Sequence, residues 1–524
     1  MTENSIRWPS VRAAVIIALA LAYFYLVLFY DPEAAIVSLL SDDAFYYLNI
    51  AKNISRGMGP TFDGLAQTNG FHPLWMIIVS FIYRVFGTDL QTPVRVVMAV
   101  NAVLGIATLW LVYRLANRFI APGFGWLAVA ACLLPNVLSA MVNGMETGLL
   151  LLMVTWTLWL CCKYRIHDPR SNQWSALLFG ALLGVVCLCR LDAAFVFASA
   201  FLITFVAGFA LGIRLRLTVR RLFLLSFGFS IPLAPYFCWN LVSFGHIMPI
   251  SGGVKSSFPA IRDHLNLYGD MRFAALLLVA MLGLLVVIEV FDIRRREETE
   301  RKGLPLLVGL LLACLFHFLH AFLFLSWGFY WWHFSIYGLT LSLLLARAAY
   351  SATRSRAALR PVLVAAIGLP LAAFGLAFKL HEVAVRGAQH ATWLRAAEWV
   401  RQNTEIDDVL GIKDAGLFGY FSERHVINLD GKANGYEYLE HIARGDAEGY
   451  LRDIGLKYIA DIGRHCSGNV CTIPILRANR EPLLLLMSRD SEVYRGELTA
   501  STATRFGRRP SQQIVIWKYS ASAN

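Results

Sequence analysis

Eleven apolar runs crowd the first 379 residues, and they leave few folds open. They fall near 13–30, 95–113, 124–142, 146–162, 174–190, 193–213, 222–240, 272–293, 303–325, 328–346 and 358–379. A bilayer-spanning helix needs about 20 mostly apolar residues. In hydrocarbon a backbone must satisfy its own hydrogen bonds, so such runs become helices. Composition agrees: 57% of the 524 residues are hydrophobic and 16% are charged, against about 25% charged in soluble domains. The expected fold is a polytopic α-helical membrane protein. The run at 13–30 is long and lacks a clear cleavage site, so it reads as an uncleaved anchor.

The net charge of +12 helps to orient the bundle. Residues 380–524 hold 18 basic and 18 acidic residues, so the excess lies in 1–379, with 29 against 17. Twenty of those 29 fall in six clusters at the ends of the apolar runs: Arg7/Arg12, Arg114/Arg118, Lys163/Arg165/Arg170, Arg214/Arg216/Arg220/Arg221, Arg294 to Arg296 with Arg301/Lys302, and Arg347/Arg354/Arg356/Arg360. Lys and Arg mark cytoplasmic loops. With all six clusters inside, the N-terminus is cytoplasmic and the C-terminal part extracytoplasmic. Between 11 and 13 spans are expected. The apolar run at 74–87 is too short to cross and reads as an interfacial helix. The basic excess therefore faces anionic lipid, and nucleic acid is not an expected partner.

Two domains follow: a transmembrane unit at 1–379 with a first outer loop at 31–94, and an extracytoplasmic α/β domain at 380–524. The second has strand-like runs at 409–412, 425–429, 457–461, 483–487 and 514–519, with helical stretches near 391–402 and 436–452. Seven of nine cysteines lie in apolar runs, where Cys behaves as a small hydrophobe. Cys466 and Cys471 stand in the polar domain, where an oxidising compartment would permit a disulfide.

The most informative stretch is SDDAFYYLNIAKNISRGMGPTFDGLAQTNGFHPLW at 41–75. Ser41 can cap a helix, with Asp42 and Asp43 in its first turn. The run from Ala44 to Ile54 reads as an amphipathic helix on the membrane. Two carboxylates beside hydrocarbon are costly. They are either a solvated helix start or a general base, a metal ligand, or both.

Other polar residues fall at the same level. Asn143 and Glu146 lie in NGMETG, and Arg190 and Asp192 in RLDAAF. Asn240, His246 and Lys255 lie in NLVSFGHIMPISGGVKSS, while Trp327, Tyr330, Trp331, Trp332 and His333 form the turn WGFYWWH. Each alone has a bland reading: a helix start, a structural ion pair, an interfacial aromatic belt. Together they suggest an outer pocket of carboxylates, cations and aromatics suited to a phosphate-bearing amphiphile. No P-loop or dinucleotide fingerprint is present.

These residues resemble the GT-C superfamily of membrane glycosyltransferases, which use polyprenyl-phosphate-linked sugars as donors. The string DDAFYY…N…G.GP.F.G…TNGFHPLW carries the resemblance, with GMET at 144–147, RLD at 190–192, FG…P.S…K between Phe244 and Lys255, and DAGLFGYF…VINLDGKANG at 414–435. It covers most of the chain and is nearest to bacterial members of the arabinofuranosyltransferase and mannosyltransferase-like branch. The WWD motif of oligosaccharyltransferases is lacking; WWH stands at 331–333.

The resemblance implies an inverting transfer of a hexosyl or pentosyl group to an acceptor hydroxyl, at the outer face of a bacterial cytoplasmic membrane. The acceptor would be a glycan, a lipid or a protein. Either Asp42 or Asp43, which the sequence does not separate, serves as base. Lys255 and Arg190 would hold the phosphate. Glu146 and His72 would orient sugar, acceptor or a metal. Tyr330 and Trp331 would pack on sugar or prenyl chain, and Tyr46, Tyr47, Asp192, Asn240 and His333 would complete the donor and acceptor pocket. No cofactor is fixed, and a divalent metal ion with Asp43 as ligand stays open. In the outer domain Asp414, Tyr420, Asn428, Asp430, Lys432 and Asn434 either face the pocket or form a network of turns. The rival class is a transporter or flippase of lipid-linked sugars, which should show repeat symmetry; none is evident.

Overall fold

The computed structural model describes residues 32–262, 265–267, 270–293, 303–461, 466–467, 469–478, 481–497 and 513–519. The apolar run at 13–30 and the basic cluster at 294–302 lie outside them. Among the described residues, seven helices are long and apolar enough to cross a membrane: Thr92–Ile120, Thr147–Tyr164, Leu191–Ala210, Leu215–Phe244, Met271–Asp292, Leu304–Phe324 and Ala357–Asn403. The chain is a multi-pass membrane protein. Two further apolar helices, Pro73–Phe86 and Gln173–Cys189, are shorter.

Three expected elements differ from the structure. The run at 124–142 is broken into helices Gly125–Cys132 and Pro135–Ala140. Pro135 has no N–H to donate, and Leu134 before it takes an extended ψ of 148°, as residues preceding proline prefer. The run at 328–346 opens with a 3-10 turn, Trp331–Phe334, and only then becomes the helix Ser335–Thr353. That helix holds a buried Arg347, paired with Asp292 at 2.6 Å.

The third difference matters most. Helix Asp42–Ser55 does not lie on a lipid surface: every residue from Ala44 to Asn53 is buried. Its rings pack on Tyr420 and Phe421 of the C-terminal domain through Phe45. Ser41 takes the N-cap position with no side-chain cap hydrogen bond, and its hydroxyl donates instead to the Asn143 carbonyl. The apolar residues at helical spacing therefore mark a helix sandwiched between protein layers.

The C-terminal domain is built on strands β1 (Val409–Ile412), β2 (His425–Asn428), β3 (Leu456–Asp461), β4 (Cys466–Ser467), β5 (Val470–Ala478), β6 (Glu481–Ser488), β7 (Glu492–Glu497) and β8 (Gln513–Lys518). Five form one sheet in the order β2-β1-β3-β8-β7, and β4-β5-β6 form a second. β1 pairs parallel with β2 and β3, while β8 is antiparallel to both its neighbours. The register sets Cys466 opposite Cys471, and Cys471 is disulfide-bonded.

Alternating residues of the large sheet serve two cores. Val409, Ile427, Ile459 and Trp517 pack with Tyr438 and Leu451 of the domain's own helices. Leu410, Ile412, Val426 and Ile516 join the core that continues into the bundle through Trp393 and Phe45. One helix, Arg360–Asn403, runs 44 residues without a break from the bundle into this core. β1 lies between β2 and β3, so the strand order reverses at its carboxyl end. Such switch points are where open α/β sheets form crevices. The loops leaving β1 and β2 carry Asp414, Asp430 and Lys432 toward the helix Asp42–Ser55.

Candidate functional site

Asp42 and Asp43 are adjacent but do different things. The Asp42 carboxylate accepts the backbone N–H groups of Leu417 at 2.7 Å and Gly416 at 3.2 Å. It thus caps the helix Gly416–Ser422 of the C-terminal domain. The approach is tight: a Cβ on Gly416 would lie 2.1 Å from the Asp42 carbonyl oxygen. Burial of the carboxyl, with Asp414 close by, pushes its pKa up to about 7. Asp43 points elsewhere. It accepts no hydrogen bond among the described residues and keeps 21% of its side chain exposed. Among the described residues its one ion pair is with the Lys432 ammonium at 3.7 Å.

Lys432 itself is buried and sits 3.1 Å from Asp430. Its ammonium also lies over the rings of Tyr46 at 5.3 Å and Trp327 at 5.6 Å. Despite the burial, the surrounding tyrosine and carboxylates hold its pKa well above that of an ordinary lysine. Burial also pushes the Asp430 carboxyl up, to about 6, against the pull of Lys432.

A second cluster lies within the membrane unit. Arg190 donates through Nε and Nη2 to Asp192, at 2.6 to 3.1 Å, and through Nη1 to Glu146 at 2.9 Å. His72 Nε2 is 3.9 Å from Glu146, and His72 Nδ1 accepts the Leu191 N–H at 3.4 Å. Burial holds the His72 imidazole neutral to below its ordinary pKa. Tyr47 accepts the His72 backbone N–H at 3.3 Å. Glu146 Oε2 is buried and has no hydrogen-bond partner among the described residues. His317 Nε2 reaches Asp192 at 3.7 Å, and its ring stacks 6.0 Å from that of His333. Arg190, Asp192, His317 and His333 line a recess of about 320 Å³. Past Val196 it adjoins an apolar groove of about 600 Å³ lined by Leu183, Leu306 and Leu310.

Lys255 links the two clusters. Its backbone carbonyl accepts from Ser326, which ties the loop to the aromatic turn. Its ammonium makes no hydrogen bond or ion pair among the described residues, and it feels the charges of Asp43, Lys432, Arg190 and Glu146. Burial lowers its pKa; Lys432 and Arg190 push the same way while Asp43 and Glu146 oppose. The loop is held from below by Asn69, which accepts the Ile250 N–H and donates to Asn240.

Several expected ligands turn out to be tied up. The Tyr46 hydroxyl accepts from the Ala415 N–H and the Asn428 amide, both at 2.9 Å. Asn240 also donates to the Ile247 carbonyl at 2.9 Å and is fully buried. Trp331 touches Phe273, Phe334 and Phe378 and Tyr330 stacks on Trp332, but both stay exposed. Arg190 spends its guanidinium on two carboxylates. Asn428 holds the turn that carries Lys432 and donates to Tyr46, and the Tyr420 hydroxyl bonds that of Tyr83 in the membrane unit, whereas Lys432 from the same set reaches Asp43. His317 was not among the expected residues; its signal was a histidine inside an otherwise apolar span. Among the described residues no three His, Cys, Asp or Glu side chains are arranged to hold a metal ion.

Residues 381–506 match a family described as a domain of unknown function, DUF8728. A search of curated proteins returns no match to the chain. Solved structures do match. ArnT from Cupriavidus metallidurans bound to undecaprenyl phosphate aligns with 12% identity and a TM-score of 0.53, over 91% of this chain and 98% of that one. Its apo state aligns with a TM-score of 0.52 over the same shares and at the same identity. The Archaeoglobus fulgidus oligosaccharyltransferase in complex with Zn and sulfate aligns with 15% identity and a TM-score of 0.50, over 85% and 68%. At these identities the likeness is one of fold. The architecture, a helical membrane bundle carrying a C-terminal sheet domain, is the one these solved structures share.

Proposed function

We propose that this protein is an inverting glycosyltransferase that moves a sugar from a polyprenyl-phosphate donor to an acceptor hydroxyl at the outer face of a bacterial cytoplasmic membrane. The observation that carries the reading is the division of labour between Asp42 and Asp43 in a GT-C fold. Asp42 is spent on two backbone N–H groups, while Asp43 keeps a partly exposed carboxylate that pairs with Lys432 and acts on the charge of Lys255, whose ammonium has no ion pair among the described residues.

The chemistry follows from that placement. The acceptor hydroxyl gives its proton to Asp43 as its oxygen bonds to the anomeric carbon. The bond from that carbon to the phosphate oxygen breaks, and polyprenyl phosphate leaves with the electron pair. One displacement inverts the anomeric centre through an oxocarbenium-like transition state. Lys255 stabilises the charge growing on the phosphate. Glu146 and His72, fixed by Arg190 and the Leu191 N–H, orient sugar hydroxyls. ArnT, whose structure holds undecaprenyl phosphate, supports a lipid-phosphate donor.

The orientation is supported by the helix ends. Helix Thr147–Tyr164 starts beside Glu146 and ends at Lys163 and Arg165; helix Gln173–Cys189 returns from Arg170 to Arg190. The site and the basic clusters thus occupy opposite ends of these helices, as an outer site requires. The test uses the full chain in lipid nanodiscs with a radiolabelled polyprenyl-phosphate sugar and membrane extract as acceptor. A glycosidic product that disappears with Asp43→Asn is expected. Lipid movement without product would overturn the reading in favour of a flippase.

A further inference from the structure

The buried lysine at the junction has no role in the mechanism above. A lysine is buried only at a cost of several kcal/mol unless carboxylates surround it, and Lys432 has two within 4 Å. One, Asp430, belongs to its own domain. The other, Asp43, comes from the membrane unit.

Neutralising Asp430 does not require reaching Asp43, and holding the two units together does not require Lys432. Docking has its own contacts: Asp42 on Gly416 and Leu417, Tyr46 on Ala415 and Asn428, His425 Nδ1 on the Asp63 carbonyl at 2.7 Å, and Tyr436 on the Met248 carbonyl at 2.8 Å. The lysine is also placed with little slack. Its N–H donates to Asn428 Oδ1 at 3.0 Å, and a Cβ on Gly70 would lie 2.2 Å from its carbonyl oxygen. The rings of Tyr46 and Trp327 flank the ammonium. The lysine is thereby held by both units, with its charge fixed beside Asp43.

We infer that Lys432 is a positioning residue that the C-terminal domain supplies to the membrane unit, holding the Asp43 carboxylate in place and aimed at the acceptor hydroxyl. The inference rests on the glycosyl-transfer reading and makes the domain part of the active site. Lys432 stays charged across the working range, because its pKa is held up by its acidic neighbours.

The experiment is a double-mutant cycle on the full chain in nanodiscs, with kcat and donor KM measured for Lys432→Met, Lys432→Arg, Asp43→Asn and Asp43→Asn/Lys432→Met. Lys432→Met should lower kcat roughly 10- to 100-fold, the usual loss when an outer partner that orients a reacting group is removed. Donor KM should stay within about threefold, because only the chemical step is touched. Lys432→Arg should keep most of the activity. In the Asp43→Asn background the same Lys432→Met change should cost less than about threefold, since its target is gone. An equal loss in both backgrounds, or an unchanged kcat for Lys432→Met, overturns the inference. A loss shared by Lys432→Arg, with early thermal unfolding of both variants, also overturns it in favour of a packing role. Wild-type protein that forms no glycosidic product would instead sink the proposed function, so the two failures are distinguishable.

Discussion

Two ion clusters act on the charge of Lys255, and they are built on opposite plans. Around Arg190 every charge belongs to the membrane unit, and the guanidinium is spent on Asp192 and Glu146. Around Asp43 the charges come from two units, and capacity is left over: Asp43 accepts no hydrogen bond, and Lys255 has no partner among the described residues. A closed network fixes geometry. An open one has room for a ligand's charge and a travelling proton. Residue type alone would rank Arg190 as the better phosphate ligand; the spare hydrogen-bonding capacity points to Lys255.

Substitutions should separate the two plans. The largest effect is expected from Asp43→Asn, which removes the proton acceptor but keeps the shape: kcat should fall about 10²- to 10⁴-fold, with unchanged thermal unfolding. Arg190→Met should act mainly on folding. It leaves Asp192 and Glu146 uncompensated, and breaking a buried pair costs about 3–5 kcal/mol, read as a lower midpoint in detergent. An Arg190→Met variant that unfolds normally and loses only donor binding would collapse the distinction. Lys255→Gln should lose activity with little loss of stability, on the order of 10²-fold in kcat.

Smaller effects are expected where the domains meet. Gly416→Ala forces a methyl against the Asp42 carbonyl, and such overpacking costs about 1–3 kcal/mol, seen as faster proteolysis of the C-terminal domain. The smallest concerns pH. The docked Asp42 carboxyl has its pKa raised from 3.8 to about 7, so the docked form holds a proton more tightly than a free carboxyl. Docking should therefore strengthen as pH falls from about 7 toward 4 and weaken as pH rises through that window. Asp42→Asn should flatten this slope in thermal unfolding at pH 5 and pH 8.

Much of the architecture was legible, because apolar length and alternating strand patterns are local signals. Strands β1, β2, β3, β6 and β8 fall on the apolar runs. β7 was hidden because EVYRGE is a charged edge strand, as unpaired edges tend to be. β5 contains Pro474, which argues against a strand wherever its N–H would be needed. The break at Pro135 could have been read from the proline itself.

The site was legible as a set of residues and illegible as a division of roles. The Asp42–Asp43 pair stands out in any reading. What separates the two is Leu417, 375 positions away, and no local pattern encodes that contact. Helix Asp42–Ser55 reads as a membrane-surface helix in the sequence for the same reason: an apolar face looks alike whether lipid or another domain covers it. Lys432 lay in a loop whose other members, Asn428 and Asn434, are indeed turn-builders, and only the tertiary approach lifts it from that company.

The unbroken helix Arg360–Asn403 has a mechanical consequence. A rod of 44 residues is about 66 Å long at 1.5 Å per residue, and one end is rooted in the bundle while the other is built into the sheet domain. It acts as a keyed shaft. Each residue inserted or deleted along it would turn the domain by about 100° and shift it by about 1.5 Å, swinging Lys432 away from Asp43. The length of this one helix thus specifies the meeting of Lys432 and Asp43 as much as either side chain does.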